Sequence, residues 1–178
     1  PAAEPSIDLR NDPELRAKAQ TTGPAAKSGR YVRIELPRRG TLTLAEVEVL
    51  SNGRNLARQG KATQKNTAHG GDPARAIDGK TSPVYGDGGQ THSQENTPRP
   101  WWELDLGTEA PIESIVVWNR NEGDLGKRLA GYTLSVLDQN RRVVFRKTDN
   151  VAPEFRAAFA LGQGDPLADL RRLAMSAL

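Results

Sequence analysis

Residues 96–129 concentrate the side chains that could do chemistry. The pair Trp101-Trp102 precedes an alternating strand, and a later apolar strand ends in Asn119-Arg120, followed by a loop of charged residues and glycine. An enzyme would need a nucleophile with its base, or a carboxylate pair in a cleft. Glu103 and Asp105 instead fall on the outward phase of a strand, with no serine elbow nearby. The segment therefore does not predict catalysis.

Composition excludes several classes of function. The 178 residues include no cysteine, which rules out a disulfide framework, a thiolate nucleophile and a Cys-ligated zinc or iron site. Lys and Arg number 25 against 22 for Asp and Glu, and the net charge of +3 is too small to predict a nucleic-acid partner. No stretch approaches the roughly 18 apolar residues of a membrane span, so we expect no direct membrane insertion.

Period-two patterns predict β-strands through the middle of the chain. Val32, Ile34 and Leu36 alternate with Arg33 and Glu35. Further strands are predicted at 102–106, 115–118, 132–136 and 143–145. With 17 glycines and 12 prolines for turns, the pattern predicts an all-β, jelly-roll β-sandwich over residues 30–151.

One strand changes its inward face. Leu42 and Leu44 are apolar at even positions, whereas Val47 and Val49 are apolar at odd ones. The face must therefore switch at 45–46, and a β-bulge there would do it.

Residues 55–100 are mostly irregular, apart from a single helical turn that Asp72-Pro73 is able to start. A loop-rich stretch of this length in a compact domain is usually functional or held by an ion.

Both chain ends are predicted to carry short helical extensions. Residues 1–29 form a linker or docking arm with a helical segment at 11–20. Residues 152–178 form a helical extension that would begin a further domain, with an Ala-rich helix at 155–161 and leucines at helical spacing after it.

Six segments together resemble one family. They are NLARQGKATQ (55–64), ARAIDGKTS (74–82), GGQTHS (88–93), PWWELDLG (100–107), IESIVVWNR (112–120) and KRLAGYTLSVL (127–137). Their order and spacing are similar to those of the F-type lectins, or fucolectins, relatives of the discoidin and coagulation-factor type C domains. GRYVRIELPRRGTLTLAEVEVL (29–50) also resembles this family, where it forms the final strands. Here it comes first, which implies a circular permutation like that of modules in secreted bacterial multidomain proteins.

The resemblance implies a structural calcium ion in the loop around Asp78. The ligands would be carboxylates and main-chain carbonyls, supplied by Asp78, Glu46, Ala45, Arg75, Lys80 and Gly89. The inferred bulge would turn Glu46 toward this loop, whereas Gly89 stands where the family has a serine. The alternative is a simple turn in which Asp78 bonds its own backbone.

The resemblance also implies a sugar site. His92 and Arg120 match its imidazole and its first basic side chain, and the second is either Arg128 or Lys127. These groups would donate hydrogen bonds to the ring oxygen and hydroxyls. An aromatic at Tyr85 would stack on the sugar, and Glu122 would hold the first arginine.

One departure bears on specificity. The family's vicinal disulfide between the basic residues is replaced by Gly123-Asp124-Leu125. The resemblance therefore implies an extracellular or periplasmic, non-catalytic carbohydrate-binding module for a glycan of the fucosylated or galactose type. Other domains of the parent chain would be its neighbours. The alternative is a structural or protein-interaction module within a larger enzyme or cytochrome assembly.

Overall fold

A computed structural model describes residues 26–162 of the chain. The strands over this range are β1 (Lys27–Glu35), β2 (Arg39–Gly40), β3 (Glu46–Ser51), β4 (Arg54–Asn55), β5 (Lys61–Gln64), β6 (Thr97–Pro98), β7 (Trp101–Ile112), β8 (Ser114–Trp118), β9 (Tyr132–Leu137), β10 (Val143–Asn150) and β11 (Arg156–Ala160). The larger sheet has the order β10-β9-β1-β7-β5, the smaller one β11-β8-β3-β4, and β2 pairs with β6. The predicted jelly-roll β-sandwich is confirmed.

The core lies between the two sheets and uses every second residue of the strands. Val32 and Ile34 of β1 and Val47 and Val49 of β3 are fully buried. The other fully or nearly fully buried strand residues include Trp102, Leu104, Ile112, Ile115, Val117, Tyr132, Leu134 and Val136. Each buried aliphatic side chain stabilises the fold by about 1.5–3 kcal/mol relative to exposure, which makes this layer the main source of stability.

Strand β1 occupies the centre of the larger sheet. It pairs antiparallel with β7, where Val32 lies opposite Leu104, and with β9, where Val32 lies opposite Val136. The charged residues on its other face point away from the core, and Arg33 contacts Glu103 there at 3.1 Å.

The loop-rich region between β4 and β7 is packed through three short 3₁₀ segments, at Ala57–Gln59, Pro73–Ile77 and Tyr85–Asp87. The predicted turn after Asp72 is the second of these. Trp102 is fully buried, and its Nε1–H donates a 2.9 Å hydrogen bond to the Pro73 carbonyl. The tryptophan therefore anchors this loop to the sheet.

The predicted change of face occurs at a bend at Ala45, and both flanking apolar pairs are buried. Before the bend, Leu44 bonds to Thr91 and Leu42 to Ser93, so this segment pairs with the loop that carries His92. After it, β3 pairs with β8.

Two predicted boundaries need correction. The sandwich begins at Lys27 rather than residue 30, and it continues beyond residue 151 into strand β11. The helix expected at 155–161 is wrong, because Arg156–Ala160 is strand β11, paired with β8. Phe159 and Leu161 are buried and Ala157 is half-buried, whereas Ala158 and Ala160 are exposed, which is a period of two.

The helical segments expected at 11–20 and after 165 lie outside the described residues. Among the residues described, the structure has no helix long and apolar enough to cross a membrane.

Candidate functional site

A cavity of about 310 Å³ opens at one end of the sandwich. Its lining residues are His69, Tyr85, His92, Glu95, Arg120, Leu125 and Arg128. We refer to it as the rim cavity. It brings together four of the six residues expected at a sugar site, contributed by the loops after β5 and β8.

Arg120 follows the end of β8 and is held in a fixed orientation. It is 9% exposed, and its Nε lies 2.5 Å from Oε2 of Glu122. The same carboxylate oxygen accepts a 2.9 Å hydrogen bond from the Tyr85 backbone N–H. The Arg120 guanidinium carbon lies 4.7 Å from the centre of the Tyr85 ring, within cation–π range. Glu122 thus orients Arg120 and Tyr85 together, although it does not line the cavity itself.

His92 presents one ring nitrogen to the cavity. Its Nδ1–H donates to the Ser93 carbonyl at 2.6 Å, which leaves the lone pair at Nε2 in the neutral ring. Burial lowers the pKa of His92, so the neutral form dominates at neutral pH. Its ring packs edge-on against His69 and Tyr85. In this state Nε2 is placed to accept a hydrogen bond from a hydroxyl group.

Arg128 lines the cavity and contacts a carboxylate that the sequence patterns did not indicate. Its Nη1 lies 3.4 Å from Oε1 of Glu95, whose other oxygen accepts a 2.6 Å hydrogen bond from the Thr41 hydroxyl. That hydrogen bond is the largest cause of the lowered pKa of Glu95. Glu95 therefore stays ionised beside Arg128.

Lys127 lies elsewhere. Its side chain is 81% exposed and pairs with Asp124, and it lines a separate hollow with Pro153 and Glu154. Of the two alternatives for the second basic residue, the fold brings Arg128 into the rim cavity and leaves Lys127 outside it.

The residues expected to hold calcium cluster beneath the neighbouring loop. Glu46 is 1% exposed, and its Oε1 accepts a 3.1 Å hydrogen bond from the Gly79 N–H. Asp78 Oδ1 accepts from the Lys80 N–H at 2.9 Å, the turn foreseen as the alternative. Glu46 and the Asp78 loop are thus adjacent, as the change of face required.

Two observations test whether a cation fits there. Glu46 Oε2 is buried without a hydrogen-bond partner among the described residues, and burial raises the pKa of Glu46 to about 8. A Cβ on Gly89 would lie 2.7 Å from the Lys80 Cβ and 3.3 Å from the Lys80 carbonyl oxygen, so the two backbones approach closely. A buried, unpartnered carboxylate oxygen beside the Asp78 loop is the kind of hard oxygen donor that suits Ca²⁺.

The remaining expected ligands adjoin Glu46 and Asp78 along the chain. Ala45 directly precedes Glu46 and is buried, and Arg75 belongs to the 3₁₀ segment that ends before Asp78. Gln90 is a residue that the sequence did not indicate. It is fully buried and its Oε1 has no partner within the described part of the chain.

Comparison with known proteins identifies the relatives of this fold. Residues 75–160 match a family model of the F5/F8 type C group, described as a NedA-like, galactose-binding domain. Fucolectin-1 of Anguilla japonica is 35% identical over 97 residues, which are 51% of this chain and 53% of that protein. Fucolectin-5 of the same organism is 40% identical over 83 residues, 43% of this chain and 42% of that protein. The chain thus spans about half the length of these relatives.

Solved structures agree with this assignment. The lectin domain of lectinolysin, complexed with Lewis b antigen, matches with a TM-score of 0.58 and 28% identity over 62% of this chain and 78% of that one. A fucose-binding module of Streptococcus pneumoniae matches with a TM-score of 0.56 and 26% identity over 65% and 81% of the two chains. The β-sandwich described here is therefore similar, in fold and in part of its sequence, to F-type lectin and discoidin-like domains.

Proposed function

We propose that this domain is a non-catalytic carbohydrate-binding module whose glycan site is the rim cavity. The observation that carries the proposal is the convergence of His92, Arg120 and Arg128 on one open cavity. Neutral His92 offers an acceptor, and the two guanidinium groups offer donors in fixed planes. Glycan hydroxyls and ring oxygens require this mixture of acceptors and donors.

The similar structures support the same ligand class, because one is a lectin domain in complex with Lewis b antigen and another is a fucose-binding module. The proposed ligand here is a glycan of the fucosylated or galactose type. The loop that replaces the family's vicinal disulfide includes Leu125, which lines the cavity and offers an apolar contact for the sugar.

We also propose that calcium holds the site in place. Glu46 lies in β3, and Asp78 lies in the loop that leads to Tyr85. An ion bound between them would tie the smaller sheet to the wall of the rim cavity. Ala45, Arg75, Lys80 and Gly89 would contribute main-chain carbonyls to the same ion.

The chain order supports a permuted module. The family match begins at residue 75, after β1 to β5, yet β1 sits at the centre of the larger sheet. We propose that the domain belongs to a larger secreted bacterial protein and meets its glycan in an extracellular or periplasmic location, with other domains of that protein as neighbours.

A glycan array, probed with and without a calcium chelator, tests the proposal. We expect binding to fucosylated or galactose-type glycans with millimolar affinity for the monosaccharide, about −4 kcal/mol, which is ordinary for a shallow site. If no glycan on the array is bound in the presence of calcium, the result would favour a structural module instead.

Two neighbouring basic residues supply a matched pair of variants. Arg128→Ala removes a donor from the cavity, whereas Lys127→Ala removes a positive charge outside it. We expect the first to reduce glycan affinity at least tenfold and the second to leave it unchanged. The opposite result would assign the second basic residue to Lys127.

A further inference from the structure

The chain has two histidines, and the fold brings both of them to the rim cavity. The rings of His69 and His92 lie 4.8 Å apart, centre to centre, and nearly perpendicular. Glu95 joins them, so that one ligand atom from each of the three residues lies within 4.8 Å of the others. Two imidazoles and one carboxylate thus converge at the same point.

The Nε2 atom of His92 faces His69 and Glu95 with its lone pair. Its Nδ1–H is bonded to the Ser93 carbonyl, and its side chain is 5% exposed. Within residues 26–162 no hydrogen bond engages Nε2, and Oε1 of Glu95 lies 3.8 Å from it. Two acceptors therefore face each other without a donor between them. Metal-bound histidines usually donate their other N–H to a carbonyl or carboxylate, as His92 does here.

His69 is held over His92 by the backbone. The Ala68 N–H donates to the His92 carbonyl and the His92 N–H donates to the Gly71 carbonyl, each at 2.9 Å. The Tyr85 hydroxyl donates to the His69 carbonyl at 2.8 Å. The loop is therefore fixed, while the exposed His69 side chain is able to rotate toward its neighbours.

Two arginine side chains lie near this cluster and affect how it could bind a cation. Arg128 contacts the same Glu95 oxygen that faces His92. Arg120 lies in the same cavity but is neutralised by Glu122. A metal ion bound to Glu95 would take the carboxylate away from Arg128.

We propose that His69, His92 and Glu95 bind one divalent ion of the zinc class, and that this ion excludes glycan from the rim cavity. The second half rests on the proposed glycan site, because both ligands require Nε2 of His92. Two imidazoles and a carboxylate favour Zn²⁺, Ni²⁺ or Cu²⁺ over Ca²⁺ or Mg²⁺.

The three ligand atoms would have to come slightly closer together to bind zinc. Zinc bonds of about 2.0–2.2 Å in a tetrahedron bring ligand atoms to roughly 3.5 Å from one another. His69 and Glu95 are exposed and reach this spacing by side-chain rotation, whereas the buried His92 stays in place. Water completes the fourth position on the open side of the cavity.

Zinc chloride added to untagged protein in calcium-containing buffer tests the metal site directly. The two histidines give two sets of imidazole signals in long-range ¹H–¹⁵N spectra, and one equivalent of zinc should shift both. His69→Ala should weaken zinc binding at least tenfold by titration calorimetry. Glu109→Gln alters a carboxylate that contacts Ser28 and does not line the rim cavity, and it should not change zinc binding. Unshifted imidazole signals, or unchanged affinity in His69→Ala, would overturn the site.

Competition is measured separately, with a glycan that the array identifies. Zinc at ten times its own dissociation constant should raise the apparent glycan dissociation constant about tenfold in the unaltered protein and less than twofold in His69→Ala, whatever the starting affinity of that variant. Zinc that binds without affecting glycan affinity would refute the exclusion but keep the metal site. If the array identifies no glycan ligand, the result would count against the proposed function. The metal site would then be tested by the imidazole signals alone.

Discussion

Glu122 Oε2 lies 2.5 Å from Arg120 Nε while it also accepts the Tyr85 backbone N–H. One carboxylate oxygen therefore fixes both a charged wall and an aromatic wall of the rim cavity. Arg120 and Tyr85 provide the binding surface, whereas Glu122 positions them. The two roles can therefore be tested separately.

Glu122→Gln should weaken glycan binding by about tenfold, because a neutral amide holds the guanidinium less firmly than a carboxylate does. Since Glu122 is partly exposed, we expect melting temperature to fall by no more than a few degrees. Calorimetry with the identified glycan and thermal denaturation measure the two effects. Asp124→Asn, which removes the partner of Lys127 outside the cavity, is the control. Equal loss of affinity in both variants would contradict the positioning role.

Arg120→Ala should abolish glycan binding with a smaller effect on stability than Asp78→Asn has in calcium. Arg120 is bonded to a surface carboxylate, whereas Asp78 would hold an ion that stabilises the folded state by about 2.7 kcal/mol at one hundred times its dissociation constant. Melting curves of both variants, recorded with calcium and with chelator, provide the comparison. A chelator that leaves the melting temperature of the unaltered protein unchanged would exclude the proposed ion.

The calcium-free protein should lose stability as pH rises from about 5 to 8. Burial raises the pKa of Glu46 to about 8, above the ordinary value near 4.3, so between these values the folded state holds a proton that the unfolded state has released. Stability then falls by as much as about 1.4 kcal/mol per pH unit and levels off above pH 8.

Glu46→Gln isolates that effect, since it removes the titrating group and keeps the shape. His92, whose pKa is lowered by burial, acts in the opposite direction below its ordinary pKa and is present in both proteins. We therefore expect the difference in unfolding free energy between the unaltered protein and Glu46→Gln to change with pH. Urea denaturation in the presence of chelator measures this difference. A difference that stays constant from pH 5 to 8 would show that Glu46 is not buried in a raised-pKa state.

Gly71→Ala should destabilise the fold by about 1–3 kcal/mol, a typical cost of overpacking. A Cβ at this position would lie 2.4 Å from the His92 backbone nitrogen, so the loop that carries His69 would have to move. Gly86→Ala is the control, because a Cβ there meets nothing within 4 Å. Urea denaturation measures both, and equal stability of the two variants would contradict the close approach.

The strands were predictable because their alternation reflects one buried face, and the switch at Ala45 was predictable from the parity of Leu44 and Val47. Strand β11 was missed because alanine favours helices and its alternation rests on two large residues, Phe159 and Leu161.

The cavity was only partly predictable. Arg120 and His92 were expected from the resemblance to the F-type lectins. His69 enters through backbone pairing of its loop with His92, and Glu95 through side-chain contacts with Thr41 and Arg128, which the sequence does not reveal. Gln90 was missed for the same reason, since its burial depends on the pairing of Thr91 with Leu44.

The central position of β1 also constrains how the chain acquires its fold during synthesis. Val32 pairs with Leu104 and Val136, so β1, which is made before the other strands described here, has to wait for partners made much later. Until then both of its edges are open to the wrong neighbour. Such distant pairings slow folding and favour misassembly, so the yield of this protein should depend on how long the nascent strand is shielded.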